Sequence, residues 1–570
     1  MKNYFKNLKN IVGFTNRKFF YLISLFIILT LLEILSLSII YPFIKFVLSG
    51  ELFFLKEFFS KLNFEIKNIT LFLCFFLILS FILKNLFSYF IKVTLTKYCW
   101  NRLIILRTKI SNFYVSIPFE EFLNKGKVNI ITSLRDYTRS IMQGFEAYLK
   151  LIGEMIVLIS ILTYLFILNF EVTLIISILM ILFGYIYYQA FSKRLIFNGN
   201  KNLEGEKILN SNLITLFTGF QEIKAINKED FFLNRLKFGA SQISEANINN
   251  QKINLIPRYF LEVFLVTFGT MYILYSHLNN ISGDEIVSTL SVYSFASLRL
   301  LPGLVQINLS MNEINFSKPA ILFVSKDLNE LKNFVEKTSN KKNISDKNEI
   351  FSYLELKNLK FKYKNSENNI IDNINLKINK NNLIGITGES GVGKSSLIGI
   401  ISGLLEQTSG EYHLYNDKNE KLEPKNFISY LSQEPIIIDG SIQENIVFSE
   451  NQNDFVEKKI LDAIKFSDLD KFISKLPHKE KTLVGENGIT LSIGQKQRLA
   501  LARCYYVDKQ IMILDEPSSA LDEKTEDNIF NNLKFLKGKK TIIVITHNKH
   551  TLTYCDKVYE FNEKKLKLHH

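Results

Sequence analysis

A glycine-rich segment in the second half of the chain has residue types suited to phosphate chemistry. It reads GITGESGVGKSSLIGI, and Gly388, Gly393, Lys394 and Ser395 fit the spacing G-x-x-x-x-G-K-[ST]. Glycines let backbone N–H groups curve around phosphates, and a following helix adds its dipole. The lysine supplies charge to the outer phosphates, and the hydroxyl can ligand Mg²⁺. We assign to this phosphate site Gly388, Glu389, Ser390, Gly391, Val392, Gly393, Lys394, Ser395 and Ser396.

A second candidate is the segment IMILDEP, in which an apolar run ends in Asp515 and Glu516. Asp515 suits a Mg²⁺ shell. Glu516 suits orienting or deprotonating an attacking water, because phosphoryl transfer needs mainly positioning and charge stabilisation. A strand that simply ends in solvated charge has the same pattern, and this alternative stays open.

The composition indicates that these residues belong to only half of the molecule. Of 570 residues, 47% are hydrophobic and 49 are Phe, and the mean hydropathy is +0.10. A membrane half joined to a soluble half fits these values. The net charge of +14 suits basic cytoplasmic loops and anionic lipid better than nucleic acid. The four cysteines lie far apart and are interpreted as reduced thiols.

Six apolar stretches reach the roughly 20 residues that a membrane-spanning helix needs. We place them near residues 19–48, 69–91, 149–170, 172–191, 256–277 and 286–309. The third and fourth are joined only by NFEV, which predicts a tight hairpin. The first flank is rich in Lys and Arg, so the N-terminus is expected to be cytoplasmic. The segment 51–66 predicts a short external helix, either in the outer interface or packed on the bundle.

Short β-rich runs alternating with helical patterns follow a polar segment, which indicates an α/β domain. We therefore divide the chain into a transmembrane domain (1–325), a linker (326–349) that begins with the end of a helix, and a nucleotide-binding domain (350–568).

The segment LSIGQKQRLALAR lies between the phosphate loop and the Asp-Glu pair, and it resembles the signature of ATP-binding cassette (ABC) proteins. The resemblance covers nearly the whole chain. It implies a membrane α-helical bundle of the ABC exporter type, with six transmembrane helices, followed by a cytosolic α/β ABC nucleotide-binding domain. It also implies ATP and Mg²⁺ held between two cassettes that face head to tail.

The resemblance assigns further residues. Tyr363 is similar to the adenine-stacking aromatic, Gln433 to the residue that contacts Mg²⁺ and water, and His547 to the switch histidine at the γ-phosphate. The segment SSALD (518–522) resembles the loop that crosses the dimer interface. Each residue taken alone also fits an ordinary strand or turn position. The nucleotide-contacting signature is assigned to Ser492, Ile493, Gly494 and Gln495.

Ile493 departs from the family pattern, which has Gly at this third signature position. A β-branched side chain is stiff and does not readily take a positive φ. The backbone N–H is still available to a phosphate, and Ser492, Gly494 and Gln495 match the pattern, so we expect a working site.

The chain has one cassette and one set of six spans, and a composite site needs two, so we expect a homodimer, with half of a heterodimer as the alternative. The segments SIPFEEFLNKG and TGFQEIKAINKEDFF resemble the coupling helices that seat on cassettes. Ordinary amphipathic helices are the alternative.

Cations inside the spans bear on the cargo: Lys84, Arg258 and Arg299. With segments such as IPRYFLE and STLSVYSFASLRLLP, they resemble the bacterial lipid-linked oligosaccharide flippases of N-glycosylation (PglK-like). A further family arginine falls near Gln306. The resemblance implies ATP-driven flipping of an undecaprenyl-pyrophosphate-linked oligosaccharide across the bacterial inner membrane.

Three alternatives stay open. The cargo can be an O-antigen or another surface glycan, or another amphiphile such as a lipid A-like lipid, a drug or a peptide. The chain can instead be a soluble-type ABC ATPase with a membrane anchor, for example in signalling or DNA repair. The cations can also be paired within the protein, Arg258 with Glu262 and Lys84 or Arg299 with Glu33 or Glu154.

Overall fold

The structure is a computed structural model of the chain. It describes residues 8–13, 16–40, 43–44, 66–278, 283–339, 349–364, 366–449, 451–485 and 488–569. All but the last residue of the predicted external helix at 51–66 lies outside this description. The chain divides into two compact units, residues 1–117 with 125–337 and residues 118–124 with 338–570.

The first unit is helical. Its helices are α1 (Asn16–Ser38), α2 (Ile66–Ser116), α4 (Lys127–Thr132), α5 (Thr138–Leu168), α6 (Phe170–Thr218), α7 (Phe220–Ala225), α8 (Glu229–Leu278) and α9 (Gly283–Ser339), and a π-helical turn (Ser133–Tyr137) joins α4 to α5. The short helix α3 (Phe119–Lys125) falls almost wholly in the second unit.

Six of the described helical segments are long and apolar enough to cross a membrane, which confirms the predicted number. Their bounds are Arg17–Ser38, Leu71–Ser116, Lys127–Leu168, Phe170–Thr218, Glu229–Leu278 and Thr289–Glu330. Large apolar side chains are exposed along them, such as Ile167 and Leu274. In a bilayer this surface faces lipid, where exposure of apolar groups carries no penalty.

The hairpin between α5 and α6 is as tight as the sequence predicts. Asn169 alone separates the two helices, and its side chain accepts a hydrogen bond from the Val172 N–H over 3.2 Å. This satisfies one of the backbone donors that a helix start leaves unpaired.

The last membrane helix ends within the segment 326–349, which the sequence indicated as a helix end followed by a linker. α9 continues to Ser339, so residues 326–339, which we assigned to the linker, are helical. Polar residues at helical spacing form a solvated helix as readily as a linker, and composition does not separate the two. Residues 340–348 lie outside the described ranges.

The second unit is α/β. Its strands are β1 (Phe351–Phe361), β2 (Ile371–Asn379), β3 (Leu383–Thr387), β4 (Ser409–Asn416), β5 (Lys421–Leu422), β6 (Ile428–Leu431), β7 (Gly440–Ser441), β8 (Leu483–Val484), β9 (Ile511–Asp515), β10 (Thr541–Ile545), β11 (Lys557–Asn562) and β12 (Lys565–Leu568). Its helices after α3 are α10 (Lys394–Ile401), α11 (Pro424–Phe427), α12 (Ile442–Val447), α13 (Glu457–Phe466), α14 (Asp470–Ile473), α15 (Ile493–Val507), α16 (Glu523–Leu536) and α17 (Lys549–Leu552).

The larger sheet positions the candidate site. Its order is β12-β11-β3-β10-β9-β6, and β11, β3, β10, β9 and β6 run parallel. β9 and β10 are buried along their whole length, as expected for strands covered on both faces. Parallel strands end at one edge, so the loops after β3, β6, β9 and β10 meet there. A second sheet, β2-β1-β4-β5, is antiparallel and shares an apolar core with β3 and α10.

Candidate functional site

The phosphate loop follows β3 and its glycines adopt conformations that other residues disfavour. Gly388, Gly391 and Gly393 have φ of 148°, 81° and 115°. A Cβ on Gly388 would lie 2.4 Å from the Phe561 carbonyl oxygen, and one on Gly393 would lie 2.7 Å from Ile370. The conformation of the loop therefore requires glycine at these positions, because a side chain would meet neighbouring residues or strain the backbone.

Lys394 begins α10 and its ammonium group is held inside the loop. Nζ donates to the carbonyl oxygens of Gly388 and Glu389, each over 2.7 Å, and lies 3.1 Å from His547 Nε2. Burial lowers the pKa of Lys394, and the nearby charges of Glu516 and Asp515 oppose this effect. A phosphate oxygen that reached this ammonium group would replace the loop carbonyl oxygens that Lys394 now contacts.

Glu516 follows β9, and its side chain contacts two other predicted residues. Gln433 Nε2 donates to Glu516 Oε2 over 2.8 Å, and His547 Nε2 lies 3.5 Å from Oε1. The backbone φ of Glu516 is 47°, in the left-handed region, which is uncommon for a residue other than glycine. Such a conformation persists only where its surroundings hold it, and it is typical of functional sites.

Asp515 ends β9 and has a hydrogen-bond donor that the sequence did not suggest. The Tyr430 hydroxyl on β6 donates to Asp515 Oδ2 over 3.2 Å. Burial raises the pKa of Asp515, and this hydrogen bond partly counteracts the shift. Burial and the Asp515 charge also raise the pKa of Tyr430 well above its ordinary value. The phenol is therefore a stable donor to the carboxylate.

Residues fit for Mg²⁺ are present at the same edge. Ser395 presents an exposed hydroxyl on the first turn of α10, and Asp515 presents a carboxylate at the end of β9. Hydroxyl and carboxylate oxygens are the ligands that Mg²⁺ prefers. Tyr363 is the residue assigned to adenine stacking. Its hydroxyl oxygen lies 3.3 Å from Ser396 Oγ, and its ring packs edge-on against the ring of Phe361.

The signature residues form a separate group at the start of α15. Ser492 and Gln495 make reciprocal side-chain to backbone hydrogen bonds, a capping box that fixes the first turn. Ile493 is the first helical residue and is absent from the positions with positive φ, so the strain considered above does not arise. Its side chain is 69% exposed. A Cβ on Gly494 would lie 2.7 Å from the Ala520 carbonyl oxygen, so glycine permits close contact with the loop 518–522.

Gln497 is a residue that the sequence reasoning missed. Its side chain is 2% exposed. Nε2 donates to Ser519 Oγ over 2.6 Å and to the Glu516 carbonyl over 3.5 Å, and Oε1 accepts from the Ala520 N–H over 3.3 Å. The sequence does contain an indication of its role, because Gln497 is a polar residue on the buried face of the helix α15. Buried amides are normally fully hydrogen-bonded, which would have suggested a loop partner.

Two glutamates of α3 hold the residue next to Tyr363 within the second unit. Glu120 Oε1 accepts from the Lys364 N–H over 2.9 Å, and Glu121 forms an ion pair with the Lys364 ammonium. α3 coincides with the first predicted coupling segment. The sequence assigned no role to these glutamates individually.

In the helical unit, Lys84 and Arg299 line one cavity of about 540 Å³. Gln306, where the resemblance expected an arginine, also lines it. Arg258 does not: it forms an exposed pair with Glu262 one turn away, with 3.0 Å between Nε and Oε1. The pairing considered for Arg258 from the sequence is thus the arrangement found.

Arg299 is also paired. Its Nε donates to Glu33 Oε1 over 2.6 Å, and Nη2 lies 2.9 Å from Glu154 Oε2. Lys84 is 9% exposed and its ammonium lies 4.0 Å from the Phe81 ring centroid. No described carboxylate forms an ion pair with Lys84. A buried ammonium of this kind favours an anion or water in the adjoining cavity.

Comparisons with known proteins agree with this geometry. Residues 371–519 match the family model of the ABC transporter. The multidrug resistance-like ATP-binding protein MdlA of Buchnera aphidicola is 28% identical over 472 residues, covering 80% of this chain and 78% of that protein. ABC transporter B family member 29 of Arabidopsis thaliana, a chloroplast protein, is 30% identical over 335 residues, covering 58% and 52%.

A Rickettsia typhi protein named for export ATP-binding and permease functions is 36% identical over 217 residues. The chain spans little more than a third of the length of such relatives, 37% in this case. A bacterial Atm1-family ABC exporter solved with ATP bound has a TM-score of 0.75 at 16% identity, covering 97% of this chain and 95% of that one. The chain therefore has the fold of an ABC exporter, with six apolar helices followed by an ABC nucleotide-binding domain.

Proposed function

We propose that the protein is an ABC exporter that couples ATP hydrolysis to export through a membrane. The observation that carries this proposal is the convergence of Lys394, Gln433, Glu516 and His547 at one edge of the parallel sheet. Phosphoryl transfer needs cations at the phosphates and an acceptor that positions water, and these side chains supply both. Six apolar helices in the same chain supply a route across a membrane.

In this mechanism the backbone of residues 388–393 surrounds the phosphates, and Lys394 exchanges its loop carbonyl contacts for phosphate oxygens. Ser395 and Asp515 would hold Mg²⁺, and the ion would supply positive charge to the phosphates. Tyr430 orients the Asp515 carboxylate. Gln433 and His547 contact the Glu516 carboxylate, which orients the attacking water. Tyr363 stacks on the adenine.

We further propose a homodimer, in which the signature of one chain completes the phosphate site of its partner. The supporting observation is that Gly494 of the signature approaches Ala520 of the loop 518–522, whereas Lys394 of the phosphate loop contacts His547. Each chain therefore has two separate half-sites, and head-to-tail pairing joins them. In a heterodimer the second chain would supply the same two segments.

For the cargo, we propose a polyprenyl-pyrophosphate-linked glycan that is flipped to the outer leaflet of a bacterial inner membrane. The support is the resemblance of the spans and the cationic cavity, and the geometry favours Lys84 as the anion contact. Arg258 and Arg299 already have carboxylate partners. A lipid-linked headgroup suits a polar cavity inside an apolar bundle, since the polyprenyl chain can stay in lipid.

ATPase measurements on the reconstituted protein, with and without lipid-linked oligosaccharide, test both levels. We expect basal hydrolysis that the glycolipid stimulates, and loss of stimulation but not of basal hydrolysis in Lys84→Ala. Lys97→Ala, an exposed lysine on the same helix, is the matched control. Absence of basal hydrolysis would refute the exporter proposal. Stimulation that survives Lys84→Ala would refute only the assignment of Lys84.

A further inference from the structure

The cavity contains an ion cluster that joins three membrane helices. Arg299 lies on α9, and its guanidinium contacts Glu33 on α1 over 2.6 Å and Glu154 on α5 over 2.9 Å. Glu33 is 4% exposed, and its second oxygen, Oε2, is buried without a hydrogen-bond partner. All three residues line the same cavity as Lys84.

Small residues let the three helices approach closely enough for these contacts. A Cβ on Gly153 would lie 2.2 Å from the Phe26 ring, so glycine allows α5 to pack against α1 just before Glu154. A Cβ on Gly303 would lie 3.2 Å from Arg299 Nη1 and 3.3 Å from Glu154 Oε2. The backbone therefore leaves room for the guanidinium between the two carboxylates.

The charge of this cluster opposes the binding of an anion. The cluster itself, one guanidinium and two carboxylates, sums to −1, whereas the lining of the cavity also includes Lys84, Lys92 and Lys150. Charges interact strongly where water is scarce. An incoming phosphate that contacted Arg299 with both carboxylates still in place would face two negative groups on the same cation.

We propose that Glu33 and Glu154 are built-in counter-ions of Arg299, and that an organic pyrophosphate entering the cavity replaces at least one of them. Lys84 attracts the anion first, and Arg299 exchanges a carboxylate for phosphate oxygens, which its planar fork binds through parallel hydrogen bonds. The two glutamates thus determine affinity and selectivity for the anionic group. This inference rests on the proposed cargo class.

The test uses farnesyl pyrophosphate as a soluble probe and farnesol as its uncharged counterpart, with the full-length protein in lipid nanodiscs. Binding is read from the shift in thermal unfolding midpoint without ATP, and coupling from stimulation of ATPase activity. The variants are Glu33→Gln and Glu154→Gln. Each removes a charge and keeps an oxygen that can accept from Arg299. Glu262→Gln is the matched control, because Glu262 also pairs with an arginine of a membrane helix but lies outside the cavity.

We expect Glu33→Gln or Glu154→Gln to lower the half-saturating concentration of farnesyl pyrophosphate by about tenfold or more. Binding of farnesol, and binding of either probe to Glu262→Gln, should be unchanged. Weaker or unchanged pyrophosphate binding in both glutamine variants would overturn the counter-ion role. So would a wild-type protein that binds neither probe.

These outcomes are distinct from failure of the proposed function, which is absence of ATP hydrolysis in all variants. If both glutamine variants failed to fold, infrared difference spectra of the wild-type protein would decide. Addition of farnesyl pyrophosphate should shift carboxylate stretching bands, and an unchanged carboxylate region would overturn the proposal.

Discussion

Gln497 donates a hydrogen bond to the hydroxyl of Ser519 over 2.6 Å. This contact joins the signature helix α15 to the loop that follows Glu516. In the proposed dimer the signature of a chain contacts the partner's nucleotide, whereas Glu516 acts on the nucleotide of its own chain. The buried amide of Gln497 therefore connects the two sites of the dimer through a single side chain.

Gln497→Met should lower kcat for ATP hydrolysis by roughly tenfold, with a smaller effect on the KM for ATP. Methionine retains much of the volume but makes none of the three hydrogen bonds, and about 1.4 kcal/mol of lost positioning corresponds to a factor of ten in rate. The Hill coefficient for ATP should also fall towards one.

Asn416→Leu is the control for this prediction, because Asn416 is a buried amide on the other sheet. The thermal unfolding midpoint of each variant is measured, so that any loss of activity can be compared with the loss of stability. If Gln497→Met lost no more activity and cooperativity than the control, Gln497 would be only a structural residue.

Glu516→Gln should retain ATP binding and lose hydrolysis by orders of magnitude, since the carboxylate that orients water is removed and the phosphate loop is intact. The amide can still contact Gln433 and His547, so the left-handed backbone at this residue should be preserved. Fluorescent nucleotide binding and phosphate release measure the two effects separately. Turnover at the wild-type rate would show that Glu516 does not have the assigned role.

The sequence predicted those parts of the site that depend on local chemistry. The glycine spacing of residues 388–393 and the apolar run before Asp515 are properties of short segments, and the structure places the first directly after β3 and the second on β9, as expected. The hairpin at Asn169 follows for the same reason. Short-range patterns specify turns and strand ends because the backbone allows few alternatives there.

The sequence did not predict partners that come from distant segments. Arg299 was open to a ligand or to either glutamate, and only the packing of α1 and α5 against α9 showed that it contacts both. Likewise, the hydrogen bonds of Gln497 and Tyr430 depend on the crossing of elements far apart in the chain. A pattern of single residues gives no direct information on such contacts.

Because two thiols of the nucleotide-binding unit are buried, we expect the free energy of unfolding to fall at alkaline pH. Burial raises the pKa of Cys504 and of Cys555 to about 12 each. In the unfolded chain these thiols ionise near pH 8.5. The folded state therefore keeps their full contribution below about pH 8.5 and loses it as the pH rises towards 12, at up to about 1.4 kcal/mol per pH unit for each thiol.

Cys504→Ala and Cys555→Ala should each flatten the decline of the thermal unfolding midpoint between about pH 8.5 and 10.5. Ser467→Ala removes a buried hydroxyl that does not titrate, so this control should change the midpoint equally at all pH values in the range. Parallel curves for the wild type and both cysteine variants would show that the thiols are not responsible.

Ile493 stands where related signature segments have glycine, and the structure changes the effect that we expect of this residue. The sequence raised the concern that a β-branched residue distorts a glycine position, but Ile493 takes ordinary helical geometry and its side chain is exposed. The Ser492 cap, rather than residue 493, sets the direction of the first N–H groups of α15.

The Ile493→Ala variant should therefore hydrolyse ATP within a few-fold of the wild type. Ile493→Gly should act similarly but be less stable by roughly 0.5–1 kcal/mol, because glycine is less favourable in a helix. Steady-state ATPase rates and chemical unfolding of the three proteins measure this. A large gain in kcat on removal of the side chain would show that Ile493 hinders closure of the dimer. A large loss in both variants would show that the isoleucine side chain itself contacts the partner's nucleotide site.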